Sequence, residues 1–86
     1  MADLNNHHRE TLRKIFTHPS SGNVEWRQVL SLLEAVGTVD DEPNGKVRVT
    51  VGPESETFPR PRHKDVDEEP LSRIRRMLTG AGVRAD

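Results

Sequence analysis

Residues 43–53 read Pro43-Asn44-Gly45-Lys46-Val47-Arg48-Val49-Thr50-Val51-Gly52-Pro53, and their alternation decides the fold class. Successive side chains of a strand point to opposite faces, so Val47, Val49 and Val51 make one apolar face while Lys46, Arg48 and Thr50 face water. Pro43-Asn44-Gly45 and Gly52-Pro53 carry turn chemistry, which places this strand between two chain reversals. Upstream, Val39 begins a short strand. Downstream, Thr57 to Arg60 reads as a third strand, ended by Pro59 and Pro61, which cannot donate to a central ladder. The connections are too short for parallel crossovers, which need a dozen or more residues, so the expected sheet is a three-stranded antiparallel meander.

Outside this region the hydrophobic period becomes helical. Trp26, Val29, Leu30, Leu33 and Val36 recur at helix spacing, Asn23 is placed to cap that helix, and Gly37 stands where a left-handed C-terminal cap is favoured. Asp67-Glu68-Glu69-Pro70 opens another helix, with acids near the positive end of its dipole. Leu71, Ile74 and Met77 or Leu78 form its apolar stripe, and Gly80 and Gly82 close it. Leu4 to Phe16 reads as a polar amphipathic helix capped by Asn5 or Asn6, with Leu12, Ile15 and Phe16 on its narrow apolar face. His18-Pro19-Ser20-Ser21-Gly22 interrupts the chain after it. The expectation is an α+β fold: residues 1–22 as an N-terminal helix and linker, and 23–86 as an α-β-β-β-α core with helices packed on one face of the sheet.

At 86 residues the chain is one small domain, which excludes a two-domain enzyme. Leu, Ile, Val and Phe number 20 of 86, just above the roughly 20% below which chains stay disordered, so a folded domain with a small core is expected. The chain has no Cys, which excludes disulfides and thiolate metal sites. It shows no signal-like or long apolar stretch, so the expected setting is cytoplasmic, without a membrane partner.

A net charge of −1 opposes a generic polybasic nucleic-acid binder, but the charges are segregated. Lys46, Arg48, Arg60, Arg62 and Lys64 form a basic block interrupted only by Glu54 and Glu56. Acids precede it at Glu34, Asp40, Asp41 and Glu42 and follow it at Asp65, Asp67, Glu68 and Glu69. Two readings fit: a phosphate-binding sheet face extended by Arg73, Arg75 and Arg76, or a solvated face with ion pairs each worth about 0 to 1 kcal/mol.

Among possible catalysts, His63 stands out because it lies among Arg60, Arg62 and Lys64, where a histidine can act as general acid or base beside a bound phosphate. His7 and His8 read as solvent-facing and do not form a chelating pair. There is no nucleophile elbow and no glycine-rich phosphate loop. Phe16, Trp26 and Phe58 are too few for a base-stacking platform, and Trp26 belongs to an apolar stripe.

Four blocks carry a family resemblance: Trp26-Arg27-Gln28-Val29 through Leu32-Leu33-Glu34-Ala35-Val36-Gly37, Asn44 to Val49, Phe58-Pro59-Arg60-Pro61, and Ile74-Arg75-Arg76-Met77-Leu78 with Ala81-Gly82-Val83. In this order they resemble the HicA-like (YcfA-like) toxins of bacterial toxin–antitoxin systems. The resemblance implies a fold like the double-stranded-RNA-binding domain, an mRNA partner, a HicB-like antitoxin, and metal-independent endoribonuclease activity without a cofactor. The charge pattern places the RNA contacts of such a protein at Lys46, Arg48, Arg60, Arg62, Lys64, Arg73 and Arg76. Cleavage would proceed by attack of the 2′-hydroxyl, with His63 as the base or acid. The family's Gly-Ser-His run corresponds here to Gly45-Lys46-Val47, so Val47 takes the catalytic position, and Arg62 stands where a later Pro-His segment has its histidine. The alternative is an interaction domain that keeps the fold and has lost nuclease activity.

Overall fold

The computed structural model describes residues 4–17, 24–61 and 63–83. Helix α1 (Asn6–Phe16) is followed by α2 (Trp26–Val36), then β1 (Thr38–Asp41), β2 (Lys46–Val51) and β3 (Glu54–Pro59), and finally α3 (Glu68–Gly80). The three strands form one antiparallel sheet in the order β1-β2-β3. This is the expected α+β meander with helices. The linker at 18–22 and the proposed Asn23 cap lie outside the described residues.

The valines of β2 decide which side of the sheet is covered. Val47 and Val49 are fully buried and Val51 nearly so, against Leu32 and Leu33 of α2, Leu71, Ile74 and Leu78 of α3, and Phe58 of β3. Leu12 and Ile15 of α1 belong to the same core, so the N-terminal helix completes the helical layer by packing on α2 and α3. Val24 and Val66 close the layer where the chain enters α2 and α3: the Val66 N–H donates to the Val24 carbonyl at 2.8 Å, and the Trp26 N–H to the Lys64 carbonyl at 2.7 Å.

Helix ends follow local chemistry, with two departures from expectation. Asn5 caps α1, its side-chain oxygen accepting the His8 N–H at 2.8 Å. Glu25, not Asn23, is the N-cap of α2, and its side chain makes no capping bond. Gly37 has φ −164°, which is extended backbone and not a left-handed cap. Its glycine is required by packing: a Cβ there would lie 2.0 Å from the Thr50 carbonyl oxygen. The chain passes from α2 into β1 with its backbone pressed against Thr50 of β2, and only a residue without a side chain permits that approach.

Strand β3 begins at Glu54, three residues earlier than Thr57, and ends at Pro59. Gly52-Pro53 is a two-residue hairpin turn with left-handed φ at Gly52 alone, the arrangement that matches sheet twist, so pairing starts at once with Val51 opposite Glu54. Ladder bonds from β2 hold Glu54, Ser55 and Glu56 in the strand although their side chains are poor strand formers.

Candidate nucleic-acid interface

Directly paired residues of antiparallel strands share a face. Register therefore assembles the uncovered side of the sheet from Thr38 opposite Thr50 and Thr50 opposite Ser55, from Asp40 opposite Arg48 and Arg48 opposite Thr57, and from Lys46 opposite Pro59. All are exposed except Thr50, which is half-buried. Arg48 Nε lies 3.5 Å from Ser55 Oγ, and the Thr50 hydroxyl donates to Ser55 Oγ at 3.3 Å. Lys46 and Arg48 make no ion pair among the described residues.

The remaining basic residues separate into different environments. Arg60, one residue past the Lys46–Pro59 pair, is paired with Asp41 across the end of the sheet. Lys64 is exposed in the loop before α3, and Arg76 is exposed on α3. Arg73 lies on the helical side of the sheet: its Nε donates to Glu56 Oε1 at 2.8 Å, and its guanidinium sits 4.6 Å from the Phe58 ring centroid. Arg75 is turned inward, donating to the Ile15 carbonyl. Arg62 lies outside the described residues.

His63 is exposed and borders a cavity of about 400 Å³ with Pro59, Arg60, Pro61, Asp67 and Glu69. The cavity thus joins the end of β3 to the start of α3, and its lining mixes one cation with two acids. Val47 is fully buried and opposite Phe58. A side chain at this position points into the core, and valine has no group that exchanges a proton.

His8 corrects the expectation of a solvent-facing pair. Its Nε2 lies 2.9 Å from Ser31 Oγ, which joins α1 to α2, and its Nδ1 is buried with no partner among the described residues.

The hydroxyls of Thr38, Ser55 and Thr57 are the part of this surface that residue-by-residue reading missed. Their signal was present in the length of the Gly52-Pro53 turn, which sets register and therefore which residues of β3 share a face with Arg48. Among the described residues, no group of three or more His, Asp or Glu is placed to hold a metal ion, and no helix is long and apolar enough to cross a membrane. Comparison with protein-family models, curated proteins and solved structures found no match to this chain.

Proposed function

We propose that this chain is an RNA-binding protein of the HicA-like toxin type, with its RNA site on the uncovered sheet face and at the sheet end nearest the β1–β2 turn. The observation that carries this reading is the pairing of Lys46 with Pro59. It sets Lys46 and Arg48 of β2, which make no ion pair among the described residues, beside the end of β3 and the Arg60 that follows it. Uncompensated Lys and Arg attract phosphates through counterion release. The order α2-β1-β2-β3-α3 agrees with the double-stranded-RNA-binding-like core that the resemblance implies. The partners of this reading are mRNA and a HicB-like antitoxin, and its setting is cytoplasmic.

If the protein cleaves RNA, His63 is the residue for the proton transfer, with Arg48, Arg60 and Arg62 against the phosphate. The burial of Val47 favours a second reading, a fold that binds without cutting, because the family's catalytic position holds no titratable group. Fluorescence anisotropy with labelled RNA tests the binding. Lys46→Glu with Arg48→Glu is expected to lower affinity and to reduce the salt slope by about 2, one for each phosphate contact removed. Unchanged affinity in the double variant would sink the proposed surface. Induced expression, scored for growth arrest and mRNA breakage in the native protein and in His63→Ala, separates cutting from binding alone.

A further inference from the structure

We propose that Asn44 is a self-modifying site: its side-chain amide is hydrolysed by water without an enzyme, through a cyclic imide with Gly45, and the carboxylate so formed weakens phosphate binding at Lys46. The modification stands on the β1–β2 turn alone. Its consequence for RNA rests on the RNA-binding reading above.

The attacking group in this reaction is the backbone nitrogen of the residue after the asparagine, so that residue's side chain decides access. Asn5 precedes Asn6, Asn6 precedes His7 and Asn23 precedes the β-branched Val24, whereas Asn44 precedes Gly45. Gly45 has no Cβ to shield its nitrogen, and the space around it is open: a Cβ there would meet nothing within 4 Å. Asn5 is engaged as the cap of α1, and Asn6 is fixed in the first turn of that helix. Asn44 and Gly45 are both exposed.

The turn also favours the attack. The Lys46 N–H donates to Asn44 Oδ1 at 3.3 Å, which folds the side-chain amide back along the backbone past Gly45. Negative charge develops on Oδ1 as the Gly45 nitrogen adds to Cγ, and the Lys46 N–H is already placed to stabilise it, as an oxyanion-hole donor does. The Gly45 N–H is held only by a long bond to the Glu42 carbonyl, 3.2 Å, at an exposed residue, so solvent base reaches its proton. The Gly45 nitrogen gives that proton to solvent and bonds to Cγ. The bond from Cγ to the side-chain nitrogen breaks, that nitrogen takes a proton from water, and ammonia leaves. Water then opens the imide at one carbonyl to give aspartate or at the other to give isoaspartate.

Either product replaces a neutral amide by a carboxylate close to Lys46, a cation with no ion pair among the described residues. Isoaspartate also routes the main chain through the side-chain carbon, which lengthens a turn closed by the Glu42 N–H on the Lys46 carbonyl at 2.8 Å.

Incubation of the full chain at mildly alkaline pH, folded and in urea, tests the proposal, with tandem mass spectrometry of peptides locating each exchange of NH2 for OH. In the folded chain Asn44 is expected to convert at least about tenfold faster than Asn5, Asn6 or Asn23. Aged native protein is expected to bind labelled RNA about threefold more weakly than fresh protein at low salt, with no difference at high salt. Asn44→Gln should keep its affinity on ageing, and Asn44→Asp should show the loss without ageing. Asn44 still intact in the folded chain when the chain in urea has converted would overturn the modification. Unchanged RNA affinity after conversion would overturn its effect on the surface. If fresh protein binds no RNA, the RNA-binding reading fails, and the mass change still decides the modification.

Discussion

Arg75 of α3 donates through Nε to the Ile15 carbonyl at 2.7 Å, tying the end of the first helix to the last helix across 60 positions of sequence. The contact places a half-buried cation at the negative end of α1, where the last carbonyls have no intrahelical donors. Arg75→Leu keeps an apolar stem and removes the donor. It is expected to cost about 2 kcal/mol in urea unfolding, and an unchanged midpoint would show that this bond does not help to hold α1.

Gly37 and Thr50 make a second long-range requirement. Because a Cβ at residue 37 would meet the Thr50 carbonyl oxygen, Gly37→Ala must push α2 away from β2 or break the ladder there. A loss of about 3 kcal/mol is expected, at the upper end for overpacking. Thermal unfolding measures it, and a variant as stable as the native chain would contradict the close approach.

Arg73 and Arg48 are expected to separate stability from binding. Arg73 is engaged with Glu56 and Phe58, so Arg73→Ala should lower stability by about 1 kcal/mol and leave RNA affinity within twofold. Arg48→Ala, on the uncovered face, should do the reverse. Comparable loss of RNA affinity in both variants would mean that the binding surface extends around the β3 edge onto α3.

Asp41 neutralises Arg60 at the sheet end. A phosphate arriving there competes with that carboxylate, so Asp41→Asn is expected to raise RNA affinity about threefold at low salt, with the gain disappearing as salt increases. Stability should change little, because both partners are largely exposed. A fall in affinity would place Asp41 among the groups that contact RNA.

His8 and Ser31 form a polar link between α1 and α2. Replacing either residue by Ala should destabilise the protein by about 1 kcal/mol, and the double variant should cost no more than the worse single one. Additive losses in chemical unfolding would indicate that the two side chains act separately.

The strand alternation at 46–51 and the helical spacing from Trp26 to Val36 are local patterns, and each yielded its element and its buried face directly. So did the start of α3 at its acidic turn. The β3 boundary was not legible in the same way, because Glu54, Ser55 and Glu56 enter the strand through pairing that Gly52-Pro53 imposes. Gly37 was recognisable as a helix end, but its reason was not, since Thr50 is distant in sequence. The candidate site divides along the same line. Lys46 and Arg48 were placed correctly on the water-facing side by parity within one strand. Arg73 and Arg75 read as surface cations because nothing nearby in the sequence reveals Glu56 or the Ile15 carbonyl.

The sequence by itself determined the class of fold, the strand that bears the apolar face, and the parity that turns Lys46 and Arg48 to water. These depend on periods of two and 3.6 residues, which are properties of the local chain. Only the tertiary structure decided which cations remain unpaired, which hydroxyls surround Arg48, and that α1 belongs to the common core. Those outcomes depend on register and on contacts between elements, where a side chain's partner is chosen by the packing of the whole chain and not by its neighbours in sequence.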